Sequence, residues 1–281
     1  VVSAGSLGDD FGVAGGGDYI LVAHRTGRIS LLVDRVSGAA PADPLKDSRR
    51  PQLVDVLTGL PSQLASIRFD PAANNGWGTN SASRSVIRFG LAIDPSEGGL
   101  FESYVFQSST AFLSGVNDGV DTRDVLFGPL ADGRSGAFLL SRRPESVLVV
   151  DERPSPTGRL SIVRAIDIGF GASKLDTIEV SIGAQKRTLL LASCFTSRDI
   201  YVVDPVAGRI LSVIRGFNGP YDMAFDASRK RLYVTDFSAS VIRVVLMEPL
   251  IDCLESGAND EGCAPKMLGQ IGTDAIVGDL L

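Results

Sequence analysis

The chain's one histidine, His24, ends the apolar run Leu21-Val22-Ala23 and precedes the turn Arg25-Thr26-Gly27. An imidazole there could act as a general base. No Ser–His–Asp arrangement is suggested by the spacing, and the plainer use of the side chain is to hydrogen-bond a turn. A single histidine also excludes a multi-histidine metal centre within this chain. Oxygen ligands are more plentiful. Asn117, Asp118, Asp121 and Asp124 crowd one short stretch, and calcium takes 6–8 oxygens from such loops. The EF-hand spacing fails there, and a solvated turn built on Asn-Asp-Gly explains the same residues. Asn259-Asp260-Glu261 forms a second acidic loop tip. A metal-dependent hydrolase would need carboxylates that converge at strand ends, and Asp70, Asp124, Asp176 and Asp222 are the residues available for that.

Cys253 and Cys263 bracket a polar, glycine-containing stretch. Two cysteines closing a short surface loop suggest a disulfide and hence an oxidising compartment. Zinc would need two further ligands, with only carboxylates nearby. Cys194 ends an apolar strand and is expected to be a buried, inert thiol. The basic spots Arg49-Arg50, Arg142-Arg143 and Arg229-Lys230 are too dispersed for a phosphate-binding stripe. With 27 basic against 33 acidic residues the net charge is −6, so nucleic-acid binding has no global electrostatic support. Arg142-Arg143 and Arg229-Lys230 each lie between two strands. These are comparable blade positions, so the pairs are expected on one rim, as ordinary solvated turns or as a charged partner surface.

The elements that would position these groups are strands. In 281 residues, 44% are hydrophobic and 31 are glycine. Short β-branched runs alternate with Gly, Pro, Asp and Asn clusters, while long helical periodicity is nearly absent. No apolar run is long enough for a transmembrane helix. Tyr19–Ala23, Arg28–Val33, Ser85–Phe89, Ser146–Val150, Asp199–Val203, Arg231–Thr235 and Ser240–Val245 all read as strands. A degenerate unit recurs, anchored at Phe11, Phe69, Phe127, Val180 and Phe225. Asp34, Asp151 and Asp204 close the third strand of their units. Four strands per repeat of ~40–60 residues fit the blade of a β-propeller, which hides its oily faces only by stacking on its neighbours. The expectation is an all-β chain, 1–281 as one propeller domain, with about five four-stranded blades at roughly 9–60, 61–118, 119–172, 173–217 and 218–275. In the second blade, Asn74-Asn75-Gly76-Trp77-Gly78-Thr79-Asn80 reads as a long polar loop, and the later strands of that blade are hard to place.

The segment Gly219-Pro220-Tyr221-Asp222-Met223-Ala224-Phe225-Asp226, with its turn and Arg231-Leu232-Tyr233-Val234-Thr235-Asp236, resembles the YVTN family of β-propeller repeats. Ile200-Tyr201-Val202-Val203-Asp204 and Gly208-Arg209-Ile210 resemble the hairpin of the same family. Asp236 stands where the family has Asn. The resemblance is specific over the last two blades only. It implies a propeller, commonly extracytoplasmic, and no particular activity. Members usually have about seven blades, so further blades are expected before Val1. If the ring closes on this chain alone, Met267–Ile271 would supply the outer strand of the last blade.

The functional expectation is a non-catalytic, extracytoplasmic interaction or structural module of an envelope or surface assembly. It would sit in the periplasm, on the outer membrane or at the cell surface, and bind other proteins, not nucleic acid. No cofactor is expected apart from the calcium reading at Asn117, Asp118, Asp121 and Asp124. Long insertions offer the contacts, with Asn74, Asn75, Trp77, Arg49 and Arg50 as candidates. The alternative is a small-molecule-binding or metal-dependent propeller enzyme, lactonase-like or quinone-dependent, with its site at the axial mouth.

Overall fold

A computed structural model describes residues 2–6, 18–34, 52–70, 73–93, 103–115, 120–153, 158–182, 185–257 and 263–272. The chain forms two compact units, residues 1–125 with 154–160, and residues 126–153 with 161–281. The anchor Phe11, the pair Arg49 and Arg50, Asn117, Asp118 and the tip Asn259–Glu261 lie outside the described residues.

Antiparallel meanders make up both units. In the first, β1 (Val2–Ser6), β2 (Asp18–His24), β3 (Arg28–Asp34) and β4 (Gln52–Leu57) pair in chain order. The next sheet runs through β5 (Leu64–Asp70), β6 (Asn75–Asn80), β7 (Ser85–Ala92) and β8 (Tyr104–Leu113). The short strand β12 (Arg159–Leu160) then pairs with β8 in parallel. Strand β9 (Thr122–Pro129), in which the division between units falls, begins a sheet continued by β10 (Ser135–Arg142), β11 (Glu145–Asp151) and β13 (Ile162–Asp167). The second unit adds β14 (Ala172–Ile182), β15 (Gln185–Cys194), β16 (Asp199–Asp204) and β17 (Arg209–Ile214). Its last sheet is β18 (Pro220–Asp226), β19 (Arg231–Asp236), β20 (Val241–Leu246) and β21 (Lys266–Gly272). This succession of antiparallel sheets, each of four strands apart from the added β12, is the β-propeller class of fold.

Alternation builds the cores. In the first unit Tyr19, Leu21, Ile29, Leu31, Ile67, Ile87 and Phe89 form one buried cluster. In the second, Leu189, Leu191, Ile200 and Val202 face one cluster, while Leu190, Ala192, Cys194 and Val203 face another. The near-continuous apolarity of β15 and β16 follows, because both faces of that sheet are covered. Phe69 and Phe225 pack at the borders of these cores.

Three sequence expectations are corrected. Asn75–Asn80 is the strand β6, not a loop, and Trp77 is fully buried. Its indole N–H donates to Asn75 Oδ1 at 3.2 Å, and the Arg88 guanidinium lies 5.7 Å from its ring. Glycine makes this strand possible, because the Phe89 ring lies across Gly76, where a Cβ would come within 2.3 Å of it. Trp77 is thus a packing residue and cannot contact a partner. Asn74 is exposed in the turn before β6, where its side chain bonds both backbone groups of Leu91.

The stretch that carries Cys253, read as a surface loop, is not all loop. It opens with a helix, α1 (Glu248–Ser256), which buries Leu250 and Ile251 in the core. Pro near its first position and Gly257 in the left-handed C-cap set its ends. Finally, the two basic pairs do not share a rim. Arg142-Arg143 lies in a second-to-third strand turn and Arg229-Lys230 in a first-to-second strand turn. In an antiparallel meander those turns fall at opposite ends of a sheet.

Candidate functional site

Several chemistry-bearing residues of the sequence have structural partners. His24 shares a hydrogen bond of 2.8 Å with Ser30 Oγ on the adjacent strand β3. Asp121 pairs with Arg123. Asp124 is fully buried and accepts from Ser66 Oγ at 2.7 Å and from its neighbour's amide, Val125 N, at 3.0 Å. Asp176 accepts from Thr177 N at 2.8 Å and from Phe225 N, on the next sheet, at 3.2 Å. Asp222 accepts from Met223 N at 2.9 Å and is exposed. Among the described residues, no three His, Cys, Asp or Glu side chains gather as a metal site. Cys253 and Cys263 form a disulfide tying α1 to the segment before β21. Cys194 is buried, and burial pushes its thiol up to about 12.

The structure does assemble a pocket in the second unit. It is open, about 400 Å³ in volume, and lined by Arg142, Ser173, Phe195, Tyr221 and Phe237. Five separate strand ends supply these side chains. Arg142 ends β10, and its Nε and Nη2 donate to the Ala172 carbonyl at 3.1 and 2.9 Å, fixing the guanidinium plane. Ser173 and Tyr221 are each the extra residue where the first strand of their sheet slips register against the second. Such bulges re-aim a side chain and leave backbone groups to be satisfied otherwise. Ser193 does this for both. Its hydroxyl accepts from Lys174 N at 3.0 Å and reaches the Tyr221 carbonyl at 3.0 Å. Thr79 and Ser66 repeat the device in the first unit, with Ser66 N donating to Thr79 Oγ1 at 3.1 Å.

The rings are set by backbone. Phe195 N donates to Gly171 O at 2.9 Å, and Phe237 N to Gly219 O at 2.9 Å. A Cβ on Gly219 would sit 2.8 Å from the Phe195 ring, so only glycine lets that ring lie there. Behind Phe237, the buried Asp236 accepts from Gly219 N at 2.7 Å, Asn218 N at 2.9 Å and Arg243 Nε at 3.1 Å. Phe237 is tilted against Phe195 at 6.4 Å and against Tyr221 at 6.2 Å. Phe237 and Tyr221 remain 65% and 48% exposed. Three ring faces beside one positioned guanidinium suit a flat ligand carrying negative charge. None of the five side chains is a carboxylate or imidazole.

Of these residues the sequence marks only Arg142, and only as surface charge. The available signal was the recurrence of aromatic residues just after second strands and at the start of the last sheet.

No family model matches the chain, and no curated protein does. Solved structures do. A proposed 6-phosphogluconolactonase from Bacteroides fragilis is similar over 90% of this chain and 69% of its own, with a TM-score of 0.55 and 14% identity. A periplasmic gluconolactonase of Pseudomonas aeruginosa is similar over 91% of this chain and 66% of its own, with a TM-score of 0.54 and 16% identity. BBS1N, solved in complex with ARL6DN, gives a TM-score of 0.58 at 10% identity, over 97% of this chain and 67% of its own. At these identities the likeness establishes the propeller fold. No helix among the described residues is long and apolar enough to cross a membrane.

Proposed function

We propose that the chain is a small-molecule-binding propeller of the lactonase-like kind, with the aromatic pocket of its second unit as the site. One observation carries the reading. A pocket of about 400 Å³ places three aromatic side chains, one of them a tyrosine, with a fixed guanidinium and a serine around one space. That volume is within the ~300–1,000 Å³ usual for small-molecule sites, which pair apolar walls with a few oriented polar groups. Similarity to gluconolactonase structures supports a lactone or the acid it opens to as the ligand. The pocket would contribute electrophilic groups. Arg142 and the Tyr221 hydroxyl would donate to a lactone carbonyl as charge builds on its oxygen. The disulfide and the periplasmic relative support an extracytoplasmic location.

A second reading, recognition without turnover, is favoured by the lining itself. None of the five side chains is a carboxylate, imidazole, thiol or amine, so none is a ready general base. One pair of measurements tests both readings. Calorimetric titration with glucono-δ-lactone and gluconate reads binding, and a pH-stat reads ring opening above the spontaneous rate. Saturable binding weakened at least tenfold by Phe237→Ala supports the site, and catalysed ring opening in addition supports the enzyme. Binding without ring opening leaves the recognition module. No binding of either compound or of the carboxylates considered next would remove the proposal.

A further inference from the structure

Resting on that site, we infer that its ligand is a flat, sparsely hydroxylated carboxylate, an aromatic or alicyclic acid or the lactone of one, and not a polyhydroxylated sugar acid. The walls are the argument. Three of the five lining side chains are aromatic, and the polar groups are one guanidinium and two hydroxyls. A sugar acid carries a hydroxyl on nearly every carbon. The five lining side chains hold too few polar groups to pair so many hydroxyls, and each one buried without a partner costs free energy. A flat apolar ring loses nothing by the same contact and gains face and edge contacts with rings already tilted at 46° and 56° to one another.

The charge of the ligand follows from Arg142. Two of its donors are spent on the Ala172 carbonyl, so its plane is set before any ligand arrives. A guanidinium held in this way recognises one carboxylate and opposes a cation. Three aromatic faces alone would equally suit a quaternary ammonium group. The arginine on the same wall selects against that choice. Ser173 is buried and donates to the Gly171 carbonyl at 3.0 Å, so its hydroxyl oxygen meets the pocket mainly as an acceptor. Tyr221 is therefore the principal neutral donor, suited to a single carbonyl or hydroxyl oxygen. The ligand so described is one ring system, one negative charge and one further oxygen.

The test uses the intact chain and four probes of matched handling: 1-naphthoate, 1-naphthalenemethanol, phenyltrimethylammonium and gluconate. Calorimetry or ligand-observed NMR reads each Kd. Naphthoate is expected to bind at least tenfold more tightly than the neutral alcohol, the cation or gluconate. Phe237→Ala, a change at a largely exposed side chain, is expected to weaken naphthoate at least tenfold with the far-UV spectrum and Tm preserved. Arg142→Lys is expected to narrow the preference for naphthoate over the alcohol. Gluconate or glucono-δ-lactone binding as tightly as naphthoate would overturn this inference and leave the proposed function standing. Equal binding of the alcohol or tighter binding of the cation overturns the charge assignment. Naphthoate binding unchanged in Phe237→Ala removes the pocket from the account, and no binding of any probe removes both proposals.

Discussion

Asp236→Ala should unfold the pocket's support and destabilise the second unit by about 4 kcal/mol. The carboxylate is fully buried and uses both oxygens: Oδ1 takes the amides of Asn218 and Gly219, and Oδ2 takes Asn218 N and Arg243 Nε. Arg243 is itself only 20% exposed in its side chain. Removing one partner of a buried pair costs roughly 3–5 kcal/mol, because the other charge stays behind without compensation. The orphaned amides are worth about 1–3 kcal/mol each when buried, a loss that overlaps with the first. Asp236→Asn keeps the shape and one acceptor oxygen but turns an NH2 toward an amide or the guanidinium, so about 2 kcal/mol is expected. Urea unfolding followed by far-UV circular dichroism measures both, with the slope against denaturant unchanged. Arg243→Ala should cost less than Asp236→Ala, and the double variant less than the sum of the two. The same variants should lose naphthoate affinity, since Asp236 ties down Gly219 and precedes Phe237. A cost below about 1 kcal/mol for Asp236→Ala, or additive single losses, would refute this reasoning.

Gly219→Ala should displace the Phe195 ring, which a new Cβ would meet at 2.8 Å. Probe affinity is expected to drop at least tenfold, for a stability loss of about 1–3 kcal/mol. Cys194 should resist iodoacetamide at pH 8 in the folded protein and react once urea unfolds it, because burial holds the thiol up at about 12. Mass spectrometry of the alkylated peptide decides. The Asp226 carboxylate, bonded by Ser228 and Arg229, is held down at about 2 from an ordinary 3.8. The β18–β19 turn should therefore keep its full support above about pH 4 and lose it as the pH falls toward 2. Carbon-detected NMR of the carboxyl, with Arg229→Ala returning its midpoint toward the ordinary value, checks the sign. Reducing the Cys253–Cys263 disulfide, which spans a separation of 10 residues, should shift the mass of that peptide and lower stability by up to roughly 3 kcal/mol.

Much of the architecture is written in local chemistry. The hairpin from Pro220 to Asp236 carries alternating apolar residues on either side of an Asp-Ala-Ser-Arg-Lys turn, and those ends are where β18 and β19 stop and start. Asp34, Asp151 and Asp204 do close third strands, and the last two accept from turn amides, Arg153 N and Ala207 N. Met267–Ile271 is indeed an outer strand, paired to β20. Buried Cys194 and the Cys253–Cys263 bridge were also legible, one from its apolar strand and the other from its short polar loop.

What was not legible depended on distant neighbours. Asn75–Asn80 has a loop's composition, and it is a strand because it pairs with β5 and β7, with the Phe89 ring packed over Gly76. Helix α1 is nine residues long and lacks a side-chain N-cap, so it carries no start signal beyond its proline. The pocket was hidden most thoroughly. Its five side chains come from five strand ends, and two of them are aimed by one-residue register slips that no periodicity announces.

The most direct measurement is amide chemical-shift mapping of the intact chain titrated with 1-naphthoate. Saturable shifts concentrated at Ser173, Phe195, Tyr221 and Phe237, with the amides around Trp77 unmoved, are the expected result. Shifts centred elsewhere, or none at millimolar ligand, would contradict the assignment of this aromatic pocket as the binding site.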